Sequence, residues 1–256
     1  MTSDEQNGEK RISDSARLGL VTRRSSRVTV LPLFTEAPLY AILDTTVSAA
    51  LAPEAAVDAL LRAGVRVIQY RHKDPFRRSH FAACAALARR VREAGGVFVV
   101  NDRADVAELA GAHGVHLGQE DLPPATARRF LGEARLIGHS THTLEQARRA
   151  AELPVDYIAI GPIFPTQTKR NPDPVVGLEL LSQVRALTKM PLVAIGGITM
   201  ENAPPVLDAG ADAVAVVRDL LASPDLEERA RQFLRALKTR SQEPGVRSQN
   251  NQSRDR

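Results

Sequence analysis

The residues of this chain that could act on a substrate fall in short clusters, each directly behind a five-residue apolar run. In Gln69-Tyr70-Arg71-His72-Lys73, the residues Gln69, Arg71 and Lys73 alternate, so an extended segment presents all three on one face. A guanidinium fork beside an ammonium suits a polyanion such as pyrophosphate, although for an isolated Arg-x-Lys ordinary surface charge at a solvated strand end is the better reading. Asn101-Asp102 and Gln119-Glu120-Asp121 follow the next two runs. Two carboxylates near a group of cations suit Mg²⁺, whose remaining positions are taken by water and substrate phosphates. Taken singly, each Asp reads as a helix N-cap; taken with the cations, the metal reading moves ahead. Ser140 closes the fifth run, and the segment from Gly161 to Lys169 carries Thr166, Thr168 and Lys169, which reads as an anion clamp and lid. Gly196-Gly197 would let a phosphate approach backbone N–H groups, and Val217-Arg218 ends the last run. His139 and His142 lack a third ligand for zinc, and Cys84, in an alanine-rich helical stretch, reads as packing. No Ser-His-Asp or Cys-His arrangement can be argued, so no protein nucleophile is expected.

Eight apolar runs precede these clusters: Leu39 to Leu43, Val67 to Arg71, Val97 to Asn101, Gly114 to Gly118, Leu136 to Ser140, Tyr157 to Gly161, Leu192 to Gly196 and Ala213 to Val217. Between them lie amphipathic stretches with helix signals, such as Pro53-Glu54 in a first turn and Gly64, Gly95 and Gly210 at helix ends. Near-continuous apolar strands alternating with helices indicate a parallel sheet covered by helices. Eight such units predict an α/β fold, a single (β/α)8 TIM barrel; the doubly wound open sheet is the competitor. No G-x-G-x-x-G follows the first run and no P-loop occurs. In a barrel the active site lies at the C-terminal strand ends, which is where these clusters stand.

The net charge of +4 suggests an acidic partner until it is localised. Residues 1–38 hold six basic and five acidic residues, 39–237 hold 23 of each, and 238–256 hold five basic and two acidic. Division into a flexible N-terminal extension (1–38), a barrel (39–237) and a disordered basic tail (238–256) follows, because neither end has the apolar content to offset its ordering entropy. A non-enzymatic barrel that binds nucleic acid through this tail is one alternative. With no Trp and three Tyr, base-stacking platforms are scarce, and no nucleic-acid partner is expected. No apolar run is long enough to span a membrane, no signal peptide opens the chain, and one cysteine excludes an intrachain disulfide. A cytoplasmic location and small phosphorylated substrates are expected; a homo-oligomer is left open.

The motifs IQYRHK, VVNDRADVAELAGAHGVHLGQEDLP, the G-x-S-T-H segment at 138–142, IGPIFPTQTK, PLVAIGGI and GADAVAVV, in that order, resemble the thiamine-phosphate synthase family over roughly residues 39–237. The resemblance implies a (β/α)8 transferase that couples 4-amino-2-methyl-5-hydroxymethylpyrimidine pyrophosphate to a thiazole phosphate, releasing pyrophosphate in thiamine biosynthesis. It implies a pyrimidine pyrophosphate site of Gln69, Arg71, Lys73, Asn101, Ser140 and Lys169, of which Arg71, Lys73, Ser140 and Lys169 are catalytic. It likewise implies Mg²⁺ on Asp102 and Asp121, and a thiazole phosphate clamp of Thr166, Thr168, Gly197, Val217 and Arg218. Arg218 stands where the family commonly has Ser, and His72 where it often has Glu. The nearest rival is a thiazole tautomerase on the same fold, which moves a proton, needs no metal and has no use for paired carboxylates.

Overall fold

In the computed structural model, which describes residues 30–47, 51–166, 168 and 173–241, each apolar run pairs in parallel with the next and the last returns to the first. The strands are β1 (Leu39–Asp44), β2 (Val67–Arg71), β3 (Val97–Asn101), β4 (Gly114–Leu117), β5 (Leu136–Thr141), β6 (Tyr157–Ile160), β7 (Leu192–Ile195) and β8 (Ala213–Val216). They close an eight-stranded barrel, as expected. Helices α2 (Pro53–Ala63), α3 (Arg78–Glu93), α4 (Ala104–Leu109), α5 (Pro124–Leu131), α6 (Leu144–Ala150), α7 (Gly177–Leu187) and α8 (Ala203–Asp208) link successive strands, and α9 (Arg218–Leu221) and α10 (Leu226–Ser241) follow β8. Helix α2 opens with Pro53 and Glu54, where a missing N–H costs nothing and an acid meets the positive helix end. Gly64 ends it at φ 98°, its N–H bonding back to the carbonyls of Leu60 and Leu61.

Period-two alternation divides the core into two layers. Leu39, Ala41 and Leu43 of β1, Ile68 and Tyr70 of β2, and Phe98 and Val100 of β3 face the helices. Tyr40, Ile42, Val67, Val97, Val99, Leu136, Tyr157 and Val193 fill the barrel. The same alternation carries the inner row upward to Asp44, Arg71, Asn101 and Ser140, which places them together at the C-terminal mouth.

Two features depart from the expected boundaries. Within the presumed N-terminal extension, a short helix α1 (Val30–Glu36) closes the floor of the barrel. Its Phe34 is 1% exposed and packs on Tyr40 (ring centroids 6.2 Å apart) and edge-on to Tyr157 (5.6 Å), so the apolar patch there serves burial. At the other end α10 runs to Ser241, four residues beyond the expected limit, with Ala230, Phe233 and Leu237 buried. Residues 1–29 and 242–256, where the extension and tail were expected, lie outside the described residues. Among those described, no helix is long and apolar enough to cross a membrane.

Candidate active site

Arg71 ends β2 on the inner face and forms an ion pair with Asp44 at the end of β1, its register neighbour. Asp44 is fully buried and accepts hydrogen bonds from the backbone N–H (2.9 Å) and hydroxyl (2.6 Å) of Thr46. Burial alone would raise its pKa, but the Thr46 bonds and the Arg71 charge outweigh it and hold the carboxyl below its ordinary value. Asp44 was not among the sequence candidates. The signal existed, since Asp44 ends β1 as Arg71 ends β2. His72, between the two cations of the motif, turns away from the mouth: its Nδ1 meets the Thr45 hydroxyl at 2.8 Å, and its ring lies against Phe76 and His80.

Lys73 Nζ donates to Asp102 Oδ2 at 2.5 Å. Asp102 does not cap α4, whose cap position is Arg103; it stands before it at φ 64°, its N–H bonded to the His116 carbonyl at 2.8 Å. A left-handed backbone is costly for most side chains and tolerable for Asp, and here it aims the carboxylate at the mouth. Nor does Asp121 cap α5, where Pro123 holds that position; its Oδ2 accepts from Gly118 N–H at 2.6 Å. The capping alternative therefore fails for both. Burial raises the Asp121 pKa, and the adjacent Asp102 carboxylate raises it further, against the Gly118 hydrogen bond and the Lys73 charge. Such like-charge crowding is relieved by a cation. Beside the pair, Asn101 Nδ2 is buried and has no hydrogen-bond partner among the described residues. Those residues hold no group of three or more His, Cys, Asp or Glu suited to a metal, so an ion on this pair would take its other ligands from water and substrate.

Gln69 lies deeper than expected, 3% exposed, and donates through Nε2 to the Tyr40 hydroxyl at 2.9 Å. Tyr40 and Tyr157 hydroxyls are 2.9 Å apart, and Tyr157 lies 3.1 Å from His116 Nδ1. His116 Nε2 is 2.8 Å from Ser140 Oγ. Burial raises the pKa of both phenols and pushes that of His116 down to about 3, so all three are neutral near pH 7. Gly138 makes this possible, because a Cβ there would run into the Tyr157 ring. Gln119 donates to the Ser140 carbonyl at 2.5 Å and meets His139 Nε2 at 3.0 Å. Tyr40, Tyr157 and His116 were thus missed as polar elements, and Gln119 was named only as part of the cluster that holds Asp121.

The loop after β6 brings Thr166 and Thr168 together, with hydroxyls 3.4 Å apart and Thr168 N–H 3.3 Å from Thr166 Oγ1. Gly196 and Gly197 have φ values of 97° and 66°. The packing around them gives a further reason for glycine here. A Cβ on Gly197 would collide with the carbonyl oxygens of Phe164 and Pro165, so the glycine lets the threonine loop lie against the end of β7. Asn202 fixes the Gly197 carbonyl at 3.0 Å. Val217 and Arg218 sit where β8 passes into α9, within the same set of strand ends. Lys169 lies outside the described residues. Cys84 is buried in α3, its thiol pushed up to about 12 by burial, which makes it unreactive.

Residues 39–220 match the family model described as thiamine monophosphate synthase. A thiamine-phosphate synthase of Koribacter versatilis is 51% identical over 178 residues, covering 70% of this chain and 83% of the relative. One from Lawsonia intracellularis is 39% identical over 202 residues, covering 79% and 93%. Among solved structures, the thiamine phosphate pyrophosphorylase of Pyrococcus furiosus superposes with a TM-score of 0.73 at 32% identity, covering 81% of this chain and 98% of that one.

Proposed function

Because this chain belongs to the thiamine monophosphate synthase family, we propose that its barrel mouth joins an aminopyrimidine methyl pyrophosphate to a thiazole phosphate, giving thiamine phosphate and pyrophosphate. It is a transferase. The observation that carries the assignment of roles is the convergence of Asp102, Asp121, Lys73 and the unpartnered Asn101 amide at adjacent strand ends. Arg71 and Lys73 hold the pyrophosphate, oriented beforehand by Asp44 and Asp102. Asn101 and Ser140 donate to its oxygens, and Lys169 is the further cation that the resemblance implies. Thr166, Thr168, Gly197 and the chain at Val217 and Arg218 hold the thiazole phosphate. Asp102 and Asp121 would hold Mg²⁺, which supplies charge neutralisation for the departing pyrophosphate.

Reaction then needs no protein nucleophile. The bond from the pyrimidine methylene to the pyrophosphate oxygen breaks, the oxygen keeps the electron pair, and the amino group of the ring spreads the positive charge. The thiazole nitrogen forms the new carbon–nitrogen bond. What the chain contributes is position and preorganised positive charge around the leaving group. Incubating both substrates with and without Mg²⁺ and following thiamine phosphate tests this. Product that requires both substrates and metal is expected. Metal-independent isomerisation of the thiazole alone would overturn it in favour of a tautomerase.

A further inference from the structure

The hydrogen bonds that run up the barrel from Gln69 to Ser140 have a direction, and the direction follows from donor counting. An amide nitrogen only donates, so the Tyr40 oxygen accepts from Gln69 Nε2; if it accepted from Tyr157 as well, its own buried proton would have no acceptor among the described residues, so that proton goes to Tyr157. Tyr157 in turn has its proton for His116 Nδ1. A neutral imidazole that accepts at Nδ1 carries its proton at Nε2, and that proton goes to Ser140 Oγ. Ser140 has then used a lone pair, and its hydroxyl proton is free to point into the mouth. In the reverse direction Ser140 would donate downward and present only lone pairs to an anion.

We propose that Gln69, Tyr40, Tyr157 and His116 are positioning residues that fix the His116 tautomer and so make Ser140 an obligate hydrogen-bond donor to the pyrophosphate. This rests on the reading of the mouth given above. His116 serves the neighbouring group as well, since its carbonyl accepts the N–H of Asp102 at 2.8 Å and holds that residue in its left-handed conformation. One strand residue thus orients a carboxylate through its backbone and a hydroxyl through its ring. Gly138 keeps the space that the arrangement requires, since a Cβ there would meet the Tyr157 ring and hydroxyl.

The test combines a spectroscopic and a kinetic measurement on the full chain. In ¹⁵N-histidine spectra, the His116 signals, assigned by their loss in H116Q, should show the Nε2–H tautomer in the unsubstituted protein and lose that single form in Y157F. Y157F keeps the ring against Phe34 and should lower kcat about tenfold, the worth of one good hydrogen bond, with KM for the thiazole phosphate unchanged. Because the effect passes through Ser140, Y157F should cost nothing further in an S140A background. H116Q, whose amide nitrogen reaches the place of Nε2, should retain more kcat than H116N, which does not. An Nδ1–H tautomer in the unsubstituted protein, a full Y157F effect on top of S140A, or H116N matching H116Q would each overturn the proposal. Absence of thiamine phosphate formation by the unsubstituted protein would instead strike the functional reading. The tautomer measurement, which needs no substrate, decides the present point in either case.

Discussion

Both ends of the barrel carry ion pairs between a basic side chain and an aspartate, but in different surroundings. At the floor, Arg128 pairs with Asp156 at 2.6 Å, both side chains under 10% exposed, and also donates to the carbonyls of Pro154, Gly132 and Arg135. Asp156 accepts the N–H of Ile137 at 2.8 Å. Arg185 repeats the plan, pairing with Asp212 at 3.0 Å and donating to Thr188 and Met190 carbonyls, while Asp212 accepts the N–H of Leu192 at 2.9 Å. Each pair ties a helix to the start of a strand and is saturated by its surroundings. At the mouth, Lys73 is half exposed and pairs with Asp102, while the Asn101 amide nitrogen has no partner among the described residues. The Lys73–Asp102 pair differs from the floor pairs in exposure and in the unpaired amide nitrogen beside it, whereas Arg71–Asp44, with Asp44 fully buried, resembles them.

The largest effect should come from removing charge at the mouth. Asp102→Asn, which keeps the shape and a side chain tolerant of positive φ, should lower kcat by about a thousandfold with an unchanged urea midpoint. Activity within tenfold would remove Asp102 from the metal site. The mirror experiment is Asp156→Ala, which strands a buried guanidinium and should cost roughly 3–5 kcal/mol in urea unfolding with kcat of the folded fraction kept. Loss of kcat without loss of stability would erase the distinction between the two ends. Gly197→Ala lies between them. Positive φ and the collision with the Phe164 and Pro165 carbonyls should cost about 1–3 kcal/mol and raise KM for the thiazole phosphate. Gly64→Ala, with only Leu234 nearby at an ordinary 3.6 Å, should lose less stability and leave KM alone.

The smallest effect is in pH dependence. Asp44 has a lowered carboxyl pKa in the folded chain, so its contribution is complete above the unfolded carboxylate value near 4 and is lost as pH falls through the folded value. Thermal midpoints of the unsubstituted protein should decline below about pH 4, and Arg71→Gln should flatten that decline. A slope unaffected by this substitution would mean that Arg71 does not hold Asp44 ionised.

All eight strands were legible because β-branched apolar runs alternate with helical stretches, and part of the mouth was legible because period two carries the inner row of β2, β3 and β5 into Arg71, Asn101 and Ser140. What escaped has a common physical origin in closure. Tyr40 on β1 and Tyr157 on β6 look like core residues in their own runs, and only curling the sheet brings their hydroxyls within 2.9 Å. His116 reads as one polar interruption in an apolar strand until Ser140 is placed beside it. Arg128 and Asp156 are 28 positions apart and lie in different βα units, so no local pattern joins them. The carboxylates at 102 and 121 were read ambiguously for the opposite reason: local rules offered helix caps, and the fold declined them.

Helix α1 and the end of α10 show that the span of homology and the span of folding do not coincide. The family match begins at Leu39 and ends at residue 220, whereas the interior is sealed below by Phe34 and flanked by Phe233 and Leu237. A recombinant fragment cut to the matched span would expose the lower faces of Tyr40 and Tyr157, whose upper hydroxyls lead toward Ser140. For anyone trimming, fusing or permuting this barrel, the usable limits are therefore those of its floor and flank rather than those of its kinship.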